Sequence, residues 1–219
     1  MKLQSIYYTI LCFLFTACVY LIDSKNGNKN LDESENIGTD YKLDTISVRN
    51  KAIDALQFIK TKSMNQHFCI LIDMKIHSGR NRFFIWDYAQ DKLTHSYLVG
   101  HGCCDRPWGK DYTKDNPSFS NKENSHCSSL GKYKLGERGY SNWGVHTKYL
   151  MHGLELTNNN ALKRTIVFHS WEDVSDTETF PKGTPEGWGC PTLSNTNFRI
   201  VDLKLKSSKK PVLMWIYND

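Results

Sequence analysis

Between Phe68 and Tyr88 the residue period is that of a strand, and this restricts the fold more than any other feature. Phe68, Ile70, Ile72, Met74 and Ile76 alternate with Cys69, Leu71, Asp73 and Lys75. Ser78-Gly79-Arg80-Asn81 supplies a turn, and Phe83 to Tyr88 returns as a second strand, so a hairpin is predicted. His95 to Val99 extends the sheet. Shorter strands are predicted over Gly131 to Leu135, Tyr149 to Leu156 and Arg164 to His169, with a last one from Val212 to Tyr217 behind Pro211. Only two segments have a helical period. One runs from Ser47 to about Lys62, where Ile53, Leu56, Phe58 and Ile59 recur at roughly helical spacing. The other runs from Asn197 to Lys206, with Ser194-Asn195 as its cap. The expectation is one mainly β domain with a few helices (α+β), covering residues 47–219. Gly100 to Ser128, rich in Gly, Pro, Asn, Asp and Ser, reads as a long ordered loop. Loops of that length in a compact domain tend to be functional.

The first 46 residues have a different character. Lys2 precedes an apolar run from Ile6 to Ile22, interrupted only by Thr9 and Thr16, which reads as an export signal over residues 1–23. The run also reaches the lower edge of the about 17–25 residues that a membrane span requires. Phe15-Thr16-Ala17-Cys18 is similar to a bacterial lipoprotein cleavage box, which would leave a lipidated Cys18. Cleaved signal, lipoprotein and uncleaved anchor all place the domain outside the cytoplasm, with membrane association through this segment in the last two. Residues 24–46 are mostly polar and read as a linker. The net charge of +5 is mild, and Lys204, Lys206, Lys209 and Lys210 form the one dense basic run. A solvated face accounts for such a run, so nucleic acid is not an expected partner.

An exported chain folds in an oxidising compartment, which changes how its seven cysteines are read. Cys12 and Cys18 belong to the leader. Cys69, Cys103, Cys104, Cys127 and Cys190 remain, an odd number, so at least one thiol stays unpaired. A bridge from Cys127 to Cys103 or Cys104 would staple the long loop. His101, Cys103, Cys104, His126, Cys127 and Cys190 are zinc-type donors, but they lack C-x₂-C and H-x₃-H spacing, and neither metal nor cofactor is expected.

Cys190 has the most distinctive surroundings. Gly187-Trp188-Gly189-Cys190-Pro191 displays it on a turn, with glycines that permit close backbone approach and a proline that fixes the exit. His169 ends the β-branched run Ile166-Val167-Phe168 and is the candidate base. A free thiol near pKa 8.5 is only a few per cent thiolate at neutral pH, so a nucleophilic cysteine needs such a partner. The same imidazole can then protonate a leaving amine. Ser170 can orient the ring, and N–H groups around Trp188, Gly189 and Cys190 can hold an oxyanion. A buried structural cysteine and a core histidine are the plainer alternatives.

Several short motifs agree in order and spacing with one family. Leu154-Glu155, Asn158-Asn159-Asn160-Ala161, Arg164 through His169 and Trp188-Gly189-Cys190-Pro191 resemble the murein L,D-transpeptidase catalytic-domain family, a branch of the YkuD-like enzymes. Val99-Gly100-His101-Gly102, Ser118-Phe119-Ser120-Asn121, Ser125-His126 and Ser128-Ser129-Leu130-Gly131 extend the resemblance to about residues 65–217. It implies a YkuD-like β-sandwich and a cysteine acyltransferase acting on peptidoglycan peptide stems. In that family the cysteine attacks the carbonyl of the third stem residue, the terminal D-amino acid leaves, and an amine from a second stem resolves the acyl-enzyme. By position Cys190 takes the nucleophile's role and His169 the base's. His126, Ser128, Glu155 and Asn160 become candidates for the substrate cleft. The implied location is periplasmic, or membrane-anchored facing the wall. Water in place of the amine would make the protein an L,D-carboxypeptidase, and a fold without turnover would make it a wall-binding module. Glu186 and Gly187 stand where the family commonly has arginine and serine, and Ser170 where it commonly has glycine. The first two are the features that favour the binding-only alternative.

Overall fold

The computed structural model describes residues 41–219. The expected leader, Cys18 and the linker up to residue 40 lie outside the described residues. Helix α1 (Thr45–Lys60) starts slightly earlier than its period suggests, because the Asp44 carboxylate accepts from the N–H groups of Ile46 and Ser47. Its buried face is Val48, Ala52, Ala55 and Ile59. Small residues at two of these positions let the helix lie close to the sheet.

The strands are β1 (Phe68–Asp73), β2 (Phe83–Asp87), β3 (Lys92–Tyr97), β4 (Gly131–Tyr140), β5 (Thr147–Gly153), β6 (Val167–Ser170), β7 (Thr192–Leu193) and β8 (Leu213–Tyr217). Helix α2 (Asn195–Lys206) follows β7, with the Ser194 hydroxyl accepting from Asn197 N–H at its start. All eight strands join one sheet, in the order β3-β2-β1-β8-β4-β5-β6-β7. The pairs β1–β8 and β6–β7 are parallel and the rest antiparallel. The fold is therefore mainly β with two helices, as its residue periods imply.

The packed layers expected of a sandwich come from a single sheet that curls on itself. Phe83 of β2 and Phe168 of β6 are five steps apart in the strand order (β2-β1-β8-β4-β5-β6). In a flat sheet that would be about 24 Å, at about 4.8 Å per step. Their rings nevertheless stack with centroids 5.7 Å apart. Phe198 of α2 packs on Phe168 at 5.0 Å and completes the enclosed core with Ile70, Ile72, Tyr133, Met151, Leu193 and Met214. The opposite face of β1, β2 and β8 carries Cys69, Leu71, Phe84, Trp86 and Leu213 and is covered by α1. Both faces of β1 are thus buried, which is why nearly every residue from Phe68 to Ile72 is apolar. Near the seam, Gly100 just beyond β3 forms an antiparallel bridge with Thr192 of β7, so the first and last strands of the order almost meet.

Replacing Phe168 with Ala should cost about 3–5 kcal/mol, because the cavity opens between both halves of the curled sheet. Leu203→Ala, at an exposed position of α2, should stay within about 0.5 kcal/mol. Urea denaturation of the two variants measures the contrast.

Candidate active site

The parallel pairing of β6 with β7 sets His169 opposite Thr192, and this register carries the preceding turn, with Cys190, alongside β6. The Cys190 sulfur accepts from Val167 N–H at 3.4 Å and lies 3.9 Å from the Thr165 carbonyl oxygen. Cys190 is a free, half-buried thiol. Gly189 has φ +97°, and a Cβ there would stand 2.4 Å from the Cys127 carbonyl oxygen, so this turn admits only glycine. Among the described residues no acceptor engages the N–H groups of Trp188, Gly189 or Cys190.

His169 is buried, with Nδ1 2.9 Å from the Ser170 carbonyl oxygen. A carbonyl can only accept, so Nδ1 carries the proton and Nε2 keeps its lone pair, the form a base requires. Ser170 thus orients the ring through its carbonyl, while its hydroxyl accepts from Val145 N–H. Cys190 and His169 line one small pocket with Trp108, Trp143, Trp171, Gly187, Trp188 and Thr192. Among the described residues their side chains make no hydrogen bond to each other. Burial pushes the Cys190 thiol up, while Val167 N–H and the charges of Arg164 and Lys148 pull it back toward the thiolate. Burial also lowers His169, against the Ser170 carbonyl, and Lys148 lowers it further. Both shifts favour the neutral pair, thiol beside imidazole. Two adjacent charges in a pocket walled by indoles would both lose hydration.

A family model described as the L,D-transpeptidase catalytic domain, of the YkuD type, matches residues 40–217, nearly all of the folded chain. The chain belongs to that family. Its members are cysteine-dependent enzymes of cell-wall peptidoglycan. No curated protein matches the sequence. Among solved structures, the helical cell shape determining protein Pgp2 from Campylobacter jejuni is 13% identical with a TM-score of 0.43, covering 75% of this chain and 54% of that one. Bd1075 from Bdellovibrio bacteriovorus is 16% identical with a TM-score of 0.36, covering 68% of this chain and 48% of that one. An L,D-transpeptidase from Xylanimonas cellulosilytica is 8% identical with a TM-score of 0.37, covering 75% of this chain and 68% of that one. This L,D-transpeptidase domain spans about half the length of the first two.

The four cleft candidates separate in space. His126, at φ +55°, stacks on Trp188 with centroids 5.5 Å apart, at the edge of the pocket. Ser128 is buried behind the turn, where its hydroxyl donates to the Gly189 carbonyl and accepts from Gly102 N–H. Glu155 and Asn160 do not line the pocket. Glu155 accepts from the backbone N–H and the ammonium of Lys132. Asn160 donates through its backbone and side chain to Asn121. Arg164, which sequence reasoning uses only as a motif letter, gathers the long loop by donating to the carbonyls of Ser120 and Cys127 and to the hydroxyls of Ser125 and Ser129. The loop is also closed by the Cys104–Cys127 disulfide, one of the two bridges the sequence allows, and Cys103 stays free.

Glu186 points away from the pocket. Fully buried Arg82 places a guanidinium nitrogen 2.8 Å from His101 Nδ1 and donates to the Val99 and Ile76 carbonyls. Arginine only donates, so His101 is neutral with its proton on Nε2, directed at the Thr113 hydroxyl 2.9 Å away. That hydroxyl donates to Glu186 Oε1 at 3.0 Å. Burial lifts the Glu186 carboxyl, with the Thr113 N–H and hydroxyl pulling against it. The Glu186 carboxylate in turn favours the buried Arg82 charge. The next residue, Gly187, is pinned on both sides, donating to the His101 carbonyl and accepting from Cys103 N–H. The glutamate is thus the far end of a buried Arg82–His101–Thr113 chain that anchors the start of the Cys190 turn.

Iodoacetamide alkylation of Cys190 should accelerate with pH through a midpoint above the ordinary thiol value of about 8.5. The sign follows from burial, which favours the neutral thiol, so the thiolate appears only as pH rises through the elevated pKa. Stopped alkylation followed by peptide mass analysis checks it; a midpoint below about 7 would mean a preformed thiolate.

Proposed function

We propose that this protein is an L,D-transpeptidase that forms an acyl-enzyme on Cys190. The observation that supports the reading most strongly is that a free thiol and an imidazole with its Nε2 lone pair available line the same pocket. In the proposed reaction His169 Nε2 takes the Cys190 proton as the sulfur attacks the carbonyl carbon of the third stem residue. The resulting oxyanion is placed against the unengaged N–H groups of Gly189 and Cys190. Collapse breaks the amide bond, and the departing D-amino acid takes the proton back from His169. An amine from a second stem then gives its proton to His169, attacks the thioester and leaves as a cross-linked amide, with the thiol restored.

The electrostatics fit a nucleophile generated on demand. Transfer of one proton from thiol to imidazole makes both charges together, and the bound substrate shields them from water. Lys148, opposite His169 in the β5–β6 register, favours the thiolate and opposes the imidazolium, so it promotes return of the proton to the leaving amine. His126 and Trp188 are placed at the rim where a stem enters. The proposed setting is outside the cytoplasm facing the wall, with residues 1–23 as export leader or anchor, residues 24–46 as linker and the remainder as the catalytic domain.

Incubation with disaccharide-tetrapeptides should yield cross-linked dimers together with the free D-amino acid. Cys190→Ala should abolish both products, and His169→Ala should slow them by on the order of 10²–10⁴-fold. Chromatography coupled to mass spectrometry reads the outcome. Tripeptide without dimer would make the protein a carboxypeptidase, and a fully active Cys190→Ala variant would overturn the mechanism.

A further inference from the structure

Trp108, Trp143, Trp171 and Trp188 come from different segments, yet all four line the pocket that holds Cys190. Trp171 is 3% exposed and acts as a base on which Trp108 stacks, with centroids 5.0 Å apart and planes 19° from parallel. The stack covers one face of Trp108, so its 44% exposure belongs to the other face and the edges. Trp143 and Trp188, 42% and 59% exposed, flank it at 5.9 and 6.3 Å, tilted by 50° and 49°. The result is a trough with Trp108 as floor and two indoles as walls. Clustered exposed aromatics of this size mark a binding surface, since isolated folding would bury them.

Two further observations define the chemistry of the occupant. Among the described residues none of the four indole N–H groups makes a hydrogen bond, so unpaired donors accompany the apolar faces. The lining contains no Lys, Arg, Asp or Glu, and its histidine is held neutral. A ligand that matches flat apolar faces, unpaired donors and an uncharged lining is a neutral pyranose. One face of the ring carries C–H groups, and its rim carries hydroxyl and acetamide oxygens that accept. A cation would leave the donors unpaired, and an aromatic side chain would offer them no acceptor.

We infer that the trough is a sugar subsite that seats an N-acetylated amino sugar of the glycan strand on Trp108. The inference rests on the peptidoglycan reading above and deepens it by assigning part of the specificity to the glycan. The sugar that carries a stem lies three stem residues from the attacked carbonyl, at most about 10–11 Å of extended chain. The trough is part of the pocket that Cys190 lines, so it is within that tether.

The test is titration of the full chain with a soluble N-acetylglucosamine tetramer, following the indole ¹H–¹⁵N signals assigned by single Trp→Phe variants. The Trp108, Trp143 and Trp188 signals should shift with a dissociation constant on the order of 1 mM, while Trp215, outside the pocket, should not. Trp108→Ala should weaken binding at least about tenfold, with Trp108→Phe in between, and Trp215→Phe should bind as the parent does. Absence of shifts at about ten times that concentration overturns the inference, as does an equal response of the Trp108 signal to ethylammonium chloride. Sugar binding without any acyl-enzyme on stem substrates would leave the subsite standing and remove the transpeptidase reading. Acyl-enzyme formation without sugar binding would do the reverse.

Discussion

The site depends on the seam where the curled sheet brings its two edges together. Gly100 beyond β3 bridges Thr192 on β7, and Gly102 bridges Gly187, so the long loop and the Cys190 turn are stitched side by side. A side chain at Gly100 would put its Cβ 2.3 Å from the Thr192 hydroxyl, and one at Gly102 would meet the His126 carbonyl oxygen at 2.2 Å. Glycine at these positions is a condition for closure rather than a source of flexibility. Once the seam is closed, the register of β6 against β7 leaves Cys190 and His169 facing the same small volume.

Most of the polar residues around that volume hold the backbone. Arg164 gathers the long loop, Ser128 ties it to the turn, and the Cys104–Cys127 bridge closes the loop on itself. The buried Arg82–His101–Thr113–Glu186 chain secures the segment leading into Gly187. Buried charges of this kind are costly unless paired and hydrogen-bonded; Arg82 is linked to Glu186 Oε1 through His101 and Thr113, while Glu186 Oε2 has no partner among the described residues. The reactive groups are supported differently. They lie among indoles, where burial favours the neutral thiol and the neutral imidazole.

Elements with a clear residue period were legible in the sequence. The hairpin of β1 and β2, helix α1, helix α2 with its Ser194 cap, and β8 all follow from apolar spacing and turn residues. β7 was not, because two residues carry no period, and the parallel pairing that makes it a strand is decided by the closure of the sheet. Cys190 and His169 stood out through their local turns and their family motif. The tryptophans did not, since Trp108, Trp143 and Trp171 belong to segments that only the curled sheet brings together. Glu155 and Asn160 show the converse: their motif is legible, but the structure uses their side chains to brace Lys132 and Asn121. Glu186 looked like a reversed charge beside the nucleophile, although its hydrogen-bond partner Thr113 lies far away in sequence and only the fold brings them together.

The central claim is that the Cys190 sulfur becomes covalently bonded to the stem. The most direct measurement is peptide mapping by mass spectrometry after rapid acid quench of the full chain with a tetrapeptide stem substrate. The account predicts a tripeptidyl mass increment on the Gly187–Pro191 segment that hydroxylamine removes, as it does a thioester. An increment on any other residue, or Cys190 recovered in a disulfide, would contradict it.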